Sequence, residues 1–202
     1  MRTLCGLLAG TLLIAGCGSV GRAPAASSSP AGGSLEQRPL TFPRVGAAAS
    51  CPVSPQVSLA SASTGGAGVK SAAPDYGFGT APAYLSGQIS WYADPGGQVV
   101  LVVVDPAYSG PLLMRARRLD GRGSVVIQPD NHAPVPLRGQ TGPGTAVPDG
   151  VRVDVTGAPP TWSVWDGRLT ARSPGCYGLQ VDGATFTSVA VFQVLPGPLP
   201  GG

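Results

Sequence analysis

Hydrophobic residues after residue 50 occur in short runs that have the period of β-strands. Gln98–Val104 is a nearly continuous apolar run, and its β-branched content and short length predict a strand that is buried on both faces. Apolar and polar residues alternate over 112–117, 151–155 and 177–181, which predicts strands with one buried face. Since no amphipathic run of helical period follows residue 50, the pattern predicts an all-β domain.

Turn signals separate these runs and favour a sandwich. Four Asp-Gly dipeptides start at residues 120, 149, 166 and 182, and Asp-Gly accepts the positive φ angles of tight hairpin turns. The clearest hairpin is predicted at Asp182-Gly183, between two apolar strands. The 31 Gly and 22 Pro residues fit many short strands joined by turns. We expect an immunoglobulin-like β-sandwich over 51–195, with a small β-barrel as the alternative.

The N-terminus has the pattern of an export signal. A positive start, Met1-Arg2, precedes a predominantly apolar run of 13 residues at 4–16. This run is too short for a membrane-spanning helix, which needs about 20 residues, and it fits the apolar core of a secretory signal. Residues 13–17, LIAGC, resemble the bacterial lipobox. We therefore expect residues 1–16 to be removed and Cys17 to be lipidated; the alternative is an ordinary secretory signal with a chance cysteine.

Two segments lack hydrophobic periodicity. Residues 17–50 are rich in Ala, Ser, Gly and Pro, which predicts a disordered, flexible linker after the lipidated cysteine. Residues 196–202 are similar and predict a disordered tail. Together with the lipobox, this organisation predicts a domain that is lipid-anchored on the extracytoplasmic face of a membrane.

The charge balance argues against a nucleic-acid partner. The net charge is +3 at pH 7, but from Cys51 onward eight Arg and one Lys are balanced by nine Asp. Nucleic-acid binding needs a basic face, which a neutral domain does not supply. The expected partners are the membrane, through the lipid anchor, and an envelope protein or polysaccharide.

Two cysteines remain after export and lipidation, and they lie at opposite ends of the domain. In an exported chain, leftover cysteines usually pair, so we expect a disulfide between Cys51 and Cys176. The alternative is a reactive thiol or half of a metal site. The absence of a CxxC motif and the presence of a single histidine argue against a usual zinc site.

Several motifs carry a resemblance to a known group. They are CPV at 51–53, RRLDG at 117–121 and PGCYGLQVDG at 174–183. The chain resembles uncharacterised lipoproteins of GC-rich bacteria, which have paired end-cysteines and a terminal Pro-Gly-Cys-aromatic strand. The resemblance covers 51–194 loosely and implies an architecture but no activity. Trp91 lies 40 residues after Cys51, farther than the dozen or so of a true immunoglobulin domain, so that likeness concerns architecture only.

Catalytic signals are weak. His132 is the only histidine and lies in a loop by composition, and no Gly-x-Ser-x-Gly motif accompanies it. The carboxylates of the domain are all Asp, and four of them precede Gly in predicted turns. We therefore predict no catalytic, metal or cofactor site.

Aromatic and arginine side chains are the candidate ligand-binding residues. Arg115 and Arg117 belong to the densest charge cluster and could meet an anionic surface. Trp162 and Trp165 precede the Asp-Gly at 166, and their spacing places them on opposite faces of an extended strand, so that one could be exposed and stack on a ligand. The alternative for the arginines is a solvated strand face, and for the tryptophans the core.

Two classes of function remain open from the sequence. The first is a non-enzymatic binding or structural module tethered to the membrane. The second is a cell-envelope hydrolase with an unrecognised site. The single histidine and the absence of glutamate after residue 50 favour the first.

Overall fold

Twelve β-strands and one short 3-10 turn form the described part of the protein. The computed structural model describes residues 34–59, 75–87, 90–94, 96–129, 144–156 and 162–197. The 3-10 turn is Leu35–Gln37. The strands are β1 Gln56–Ser58, β2 Tyr76–Thr80, β3 Ala83–Ser86, β4 Ser90–Tyr92, β5 Gln98–Val104, β6 Pro111–Arg118, β7 Val125–Pro129, β8 Thr145–Val147, β9 Gly150–Asp154, β10 Ser163–Ala171, β11 Gly175–Gly183 and β12 Thr187–Leu195.

The strands are arranged in two six-stranded sheets. Sheet A has the order β1-β2-β3-β5-β10-β7, and sheet B has the order β4-β12-β11-β6-β9-β8. Every pairing is antiparallel except that of β4 with β12. The predicted β-sandwich is confirmed, and the described strands do not close into a barrel.

The inward faces of the two sheets form the main core. Alternate residues of β5 and β10 in sheet A face alternate residues of β6, β11 and β12 in sheet B. Three stacked aromatic rings lie at its centre: Trp91 and Tyr177 each stack on Phe192, with ring centroids 4.7 Å and 5.8 Å away. The strands form here because their apolar residues recur with period two.

Sheet A also buries part of its outer face. Leu59, Val103, Trp162 and Val164 form a second apolar cluster there, separate from the main core. Because Val102 contacts the main core and Val103 the second cluster, β5 is buried on both sides, as its continuous apolar run predicted.

The Asp-Gly dipeptides have different roles. Asp149 belongs to the turn between β8 and β9, as predicted. The β11–β12 hairpin is confirmed, but Asp182 is still paired with Thr187, so the turn lies at 184–186. The predicted turn at 166–167 is wrong, because both residues lie inside β10, where Gly167 leaves room for the Trp165 indole on the inward face.

Part of the predicted linker is packed on sheet B. Residues 35–42, here called the strap, cross the outer face of β6, β9 and β11, and Leu35 is buried there. The prediction of a flexible linker up to residue 50 therefore needs correction for this part. The sequence of the strap has no hydrophobic periodicity. This fits the way it is held, because polar side chains of the sheet, and not a strand ladder, hold it in place.

The chain after the strap is fixed by the expected disulfide. Cys51 is bonded to Cys176 of β11, with 5.3 Å between the Cα atoms. Ser54 then pairs with Val191 at the edge of β12 through two hydrogen bonds before the chain enters β1. In the described ranges, no helix is long and apolar enough to cross a membrane.

Candidate functional site

A buried polar network lies under the strap on the outer face of sheet B. The carboxylate of Asp182, whose side chain is fully buried, accepts a hydrogen bond from Nη2 of Arg115 at 2.6 Å. It also accepts hydrogen bonds from the Gln180 amide at 2.9 and 3.1 Å and from the Thr187 hydroxyl at 2.7 Å. The network satisfies the buried carboxylate, which would otherwise be costly.

The register of the sheet brings these residues together. Gln180 and Asp182 are alternate residues of β11 that point outward, and Arg115 of β6 is paired directly with Gln180. Leu179 and Val181, which alternate with them, point into the main core. A single strand therefore contributes to the core on one side and to the polar network on the other.

Side chains of this network hold the main chain of the strap. The Gln180 amide donates to the Pro39 carbonyl at 3.0 Å and accepts from the Thr41 N–H at 2.8 Å. Nη1 of Arg115 donates to the Arg38 carbonyl at 2.9 Å. Asp182 orients both Gln180 and Arg115, which hold the extended backbone, and the Thr41 hydroxyl adds a side-chain hydrogen bond to Oε1 of Gln180 at 3.1 Å.

Side chains of the strap make contacts of their own. Arg38 donates hydrogen bonds to the carbonyls of Ala184 and Phe186 in the β11–β12 turn, at 2.6 and 2.8 Å. The Phe42 ring lies over Gly178, where any Cβ would overlap it. Only glycine at this position lets the strap approach the sheet so closely.

A groove of about 610 Å³ adjoins the strap. It lies where β7, an edge strand of sheet A, meets the β8–β9 hairpin of sheet B. Its walls are Leu40 of the strap, Arg115–Arg117 of β6, Val125–Gln128 of β7 and Ala146–Gly150 of the β8–β9 hairpin. Val126 is 51% exposed and Leu40 is 39% exposed, so the groove presents apolar side chains to solvent.

Two strand edges border this groove. Among the described strands, β7 is the terminal strand of sheet A and is paired only with β10. β9 pairs with Pro111–Met114 and leaves the second half of β6 without a described partner on that side. Leu119 N–H donates to Cys176 O, so the odd-numbered residues of β6 hydrogen-bond to β11 and the main chain of Ala116 points toward the groove.

The arginine candidates have separate roles. Arg115 is buried and paired with Asp182, and its Nε has no hydrogen-bond partner among the described residues. This corrects the expectation of an exposed ligand-binding side chain. Arg117, in contrast, is exposed and lines the groove. The two differ because the strap covers only the first.

The tryptophan candidates are both buried. They point to opposite faces of sheet A, as predicted, with Trp165 in the main core and Trp162 in the outer cluster. Neither is available to stack on a ligand, since their exposed fractions are 1% and 5%. The expectation that one of them is exposed is wrong because sheet A buries its outer face against a second apolar cluster.

Arg118 and Asp120 form a second ion pair beside the disulfide. Nε of Arg118 donates to the Asp120 carboxylate at 2.7 Å, and the Cys176 N–H donates to the same carboxylate at 3.0 Å. Burial raises the pKa of Asp120, but the hydrogen bonds from Arg118 and Cys176 outweigh it and hold the pKa below its usual value. Arg118 also lies over the Tyr177 ring, so the pair braces the strand that carries the disulfide.

The chemistry expected elsewhere is limited. The described residues contain no group of three or more His, Cys, Asp or Glu side chains that could hold a metal ion. His132 and Cys17 lie outside the described residues.

Comparisons of the chain with protein-family models, with curated proteins and with solved structures found no match. The kind of ligand therefore has to be inferred from the groove itself.

Proposed function

We propose that the protein is a lipid-anchored extracytoplasmic binding module that recognises an extended segment of an envelope protein in the groove. The anchor is proposed from the apolar run at 4–16 and the lipobox that ends at Cys17. A diacylglycerol on that cysteine, with a further acyl chain, gives stable anchoring without a spanning segment.

The observation that carries the binding role is the position of the groove between two strand edges. A segment that enters it meets main-chain donors and acceptors of β6, and an added strand can satisfy them. Leu40 and Val126 offer apolar contacts to alternate side chains of such a segment. A polysaccharide would instead be expected to meet exposed aromatic rings, and none lines this groove among the described residues.

The charged side chains of the groove indicate which charges the partner segment carries. Arg117 is the exposed cation of the groove wall, and it lies on the β6 side. Asp149 stands on the opposite side, in the β8–β9 turn. An extended segment that carries an acidic residue facing β6 and a basic residue facing the hairpin would complement both.

Photocrosslinking in intact cells tests the binding role. A benzophenone amino acid is placed at Val126, inside the groove, or at Tyr92, which is 57% exposed on β4 at the opposite edge of sheet B. We expect a crosslinked protein from position 126 and none from position 92, and we expect Arg117→Glu to weaken it. Equal crosslinking from both positions, or none from position 126, would overturn the groove as the binding site.

The anchor is tested separately. A Cys17→Ala variant should be released or remain as an uncleaved precursor, and it should lose incorporation of labelled palmitate. A variant that is still processed, labelled and membrane-bound would refute the anchor and leave the groove untouched.

A further inference from the structure

The strap is attached to the sheet in a different way from every neighbouring strand. Between the strap and sheet B, the described hydrogen bonds all involve a side chain, from Gln180, Arg115, Arg38 or Thr41. The main-chain bonds within the strap region are local, from Gln37 to Ser34 and from Arg38 to Leu35. β11, in contrast, is bonded along its length to β6 and β12.

The strap also buries little apolar surface. Leu35 is its one buried residue, Arg38 and Phe42 are half-buried, and the other five are exposed. Local stability follows buried apolar contacts and protected backbone hydrogen bonds, so a segment with few of either opens before the sheets do. The groups on this face include the polar side chains of Arg115, Gln180 and Asp182, which water can hydrate when the strap leaves, and one apolar side chain, Leu113, which is 1% exposed.

We propose that the outer face of sheet B is a binding site for an extended peptide, that its resident ligand is the strap of the same chain, and that the strap is released without unfolding of the sandwich. Gln180 and Arg115 recognise main-chain groups, and Asp182 holds both in place. Gly178 provides the cradle for the Phe42 ring. The site is specific for an extended backbone with a free N–H at the position of Thr41.

Release has a defined end point. Cys51 is bonded to Cys176, so the chain can detach only as far as residue 50. Residues 34–50 are then free of the sheet, and a coil of this length has a root-mean-square span of about 20–25 Å. In a chain anchored at Cys17, which rests on the proposed function, the docked strap holds the domain close to the membrane and the released strap extends its reach.

Release also changes the groove. Leu40 is part of the strap and part of the groove wall, so the groove is complete only when the strap is docked. A partner that binds the complete groove must stabilise the docked strap, and the docked strap must favour the partner by the same factor. The distance that the domain can extend from the membrane and the affinity of the groove for its partner are thereby linked.

Hydrogen exchange on the full chain with Cys17→Ser, held in detergent, tests the release independently of lipidation. We expect strap amides, including Thr41, to be protected but to exchange on the order of 100-fold faster than those of β11. Gln180→Ala should remove the protection of the strap and leave that of β12 unchanged. The matched control is Gln98→Ala, which changes the same side chain on sheet A.

A synthetic peptide of residues 34–45 tests the site directly. It is added to the full chain carrying Thr41→Pro, whose own strap lacks the N–H that donates a hydrogen bond to Gln180. We expect the peptide to bind this variant more tightly than the unaltered chain, by on the order of 10-fold or more, because the resident strap competes at high effective concentration. A peptide with Thr41→Pro should not bind.

Three outcomes would overturn the proposal. Strap amides that exchange only as slowly as those of β11 would make the strap an integral part of the sandwich. Strap amides without any protection would mean that it does not dock. Binding of the peptide that is indifferent to Gln180→Ala would place it elsewhere. None of these outcomes depends on the anchor or on a partner in the groove.

Discussion

Replacing Asp182 by Asn should destabilise the domain strongly, although the two side chains have nearly the same shape. The carboxylate is fully buried and accepts four hydrogen bonds, from Arg115, Gln180 and Thr187. Asn removes the charge that Arg115 requires and turns one acceptor into a donor that faces other donors. Breaking a buried pair costs about 3–5 kcal/mol. We expect about 3 kcal/mol here, since Nη1 of Arg115 keeps its bond to the Arg38 carbonyl.

Urea unfolding at pH 7 measures the effect, and thermal unfolding provides a second estimate. A loss of about 3 kcal/mol corresponds to a fall of roughly 10 °C in Tm for a domain of this size. Asp75→Asn is the matched control, because Asp75 is exposed, and it should stay within about 0.5 kcal/mol of the unaltered chain. In a double-mutant cycle with Arg115→Met, the two losses should be less than additive by about 1–3 kcal/mol. A single-variant loss below about 1 kcal/mol, or full additivity, would refute the reasoning.

Three further predictions concern the disulfide, a carboxylate and a glycine. Cys51→Ser combined with Cys176→Ser should lower the free energy of unfolding by about 2–5 kcal/mol, because the bond closes a long loop in the unfolded chain; an unchanged urea midpoint would contradict this. The pKa of Asp120 is lower in the folded state, so its contribution is present above a pH of about 4 and is lost as the pH falls through the lowered pKa. Asp120→Asn should therefore show a shallower acid-side decline of stability than the unaltered chain, and an identical pH profile would count against the ion pair. Gly167→Ala should cost about 1–3 kcal/mol, because the new methyl group overlaps the Trp165 indole; a thermal midpoint within error of the original would show that this ring can move.

The strands could be predicted because their information is local. The apolar run at 98–104 and the alternation at 177–181 indicate strands without any knowledge of their neighbours, and both are strands in the fold. The turn at 166 was mispredicted for the same reason. Asp-Gly favours a turn locally, but pairing of β10 with both β5 and β7 outweighs that preference.

The polar network could not be predicted, because it depends on register between distant strands. Gln180 and Asp182 look like the polar half of an alternating strand, and Arg115 looks like an ordinary exposed arginine. Only the pairing of β6 with β11 brings them together. The strap that covers them has no strand or helix periodicity, and no sequence pattern marks a segment that is held by the side chains of others.

The sequence alone also could not predict that both tryptophans are buried. Spacing alone shows that Trp162 and Trp165 point in opposite directions, and this is confirmed. Whether the outer face of sheet A is solvent-exposed or buried depends on residues far away in the chain, such as Leu59 and Val103. The groove has a similar origin, since it is formed by the ends of strands that do not pair.

The disulfide also sets the route by which mechanical load enters the domain. Once the strap is released, a pull on the N-terminal chain arrives at Cys51, before the chain reaches β1 at the edge of sheet A. The covalent bond passes that load to Cys176 in β11, an interior strand of sheet B flanked by β6 and β12. Tension is thus applied to a strand that is held by two long ladders, whereas edge strand β1 is held by one short ladder to β2. As long as the bond stays oxidised, extension from the N-terminal side beyond Cys51 therefore requires β11 to separate from its neighbours.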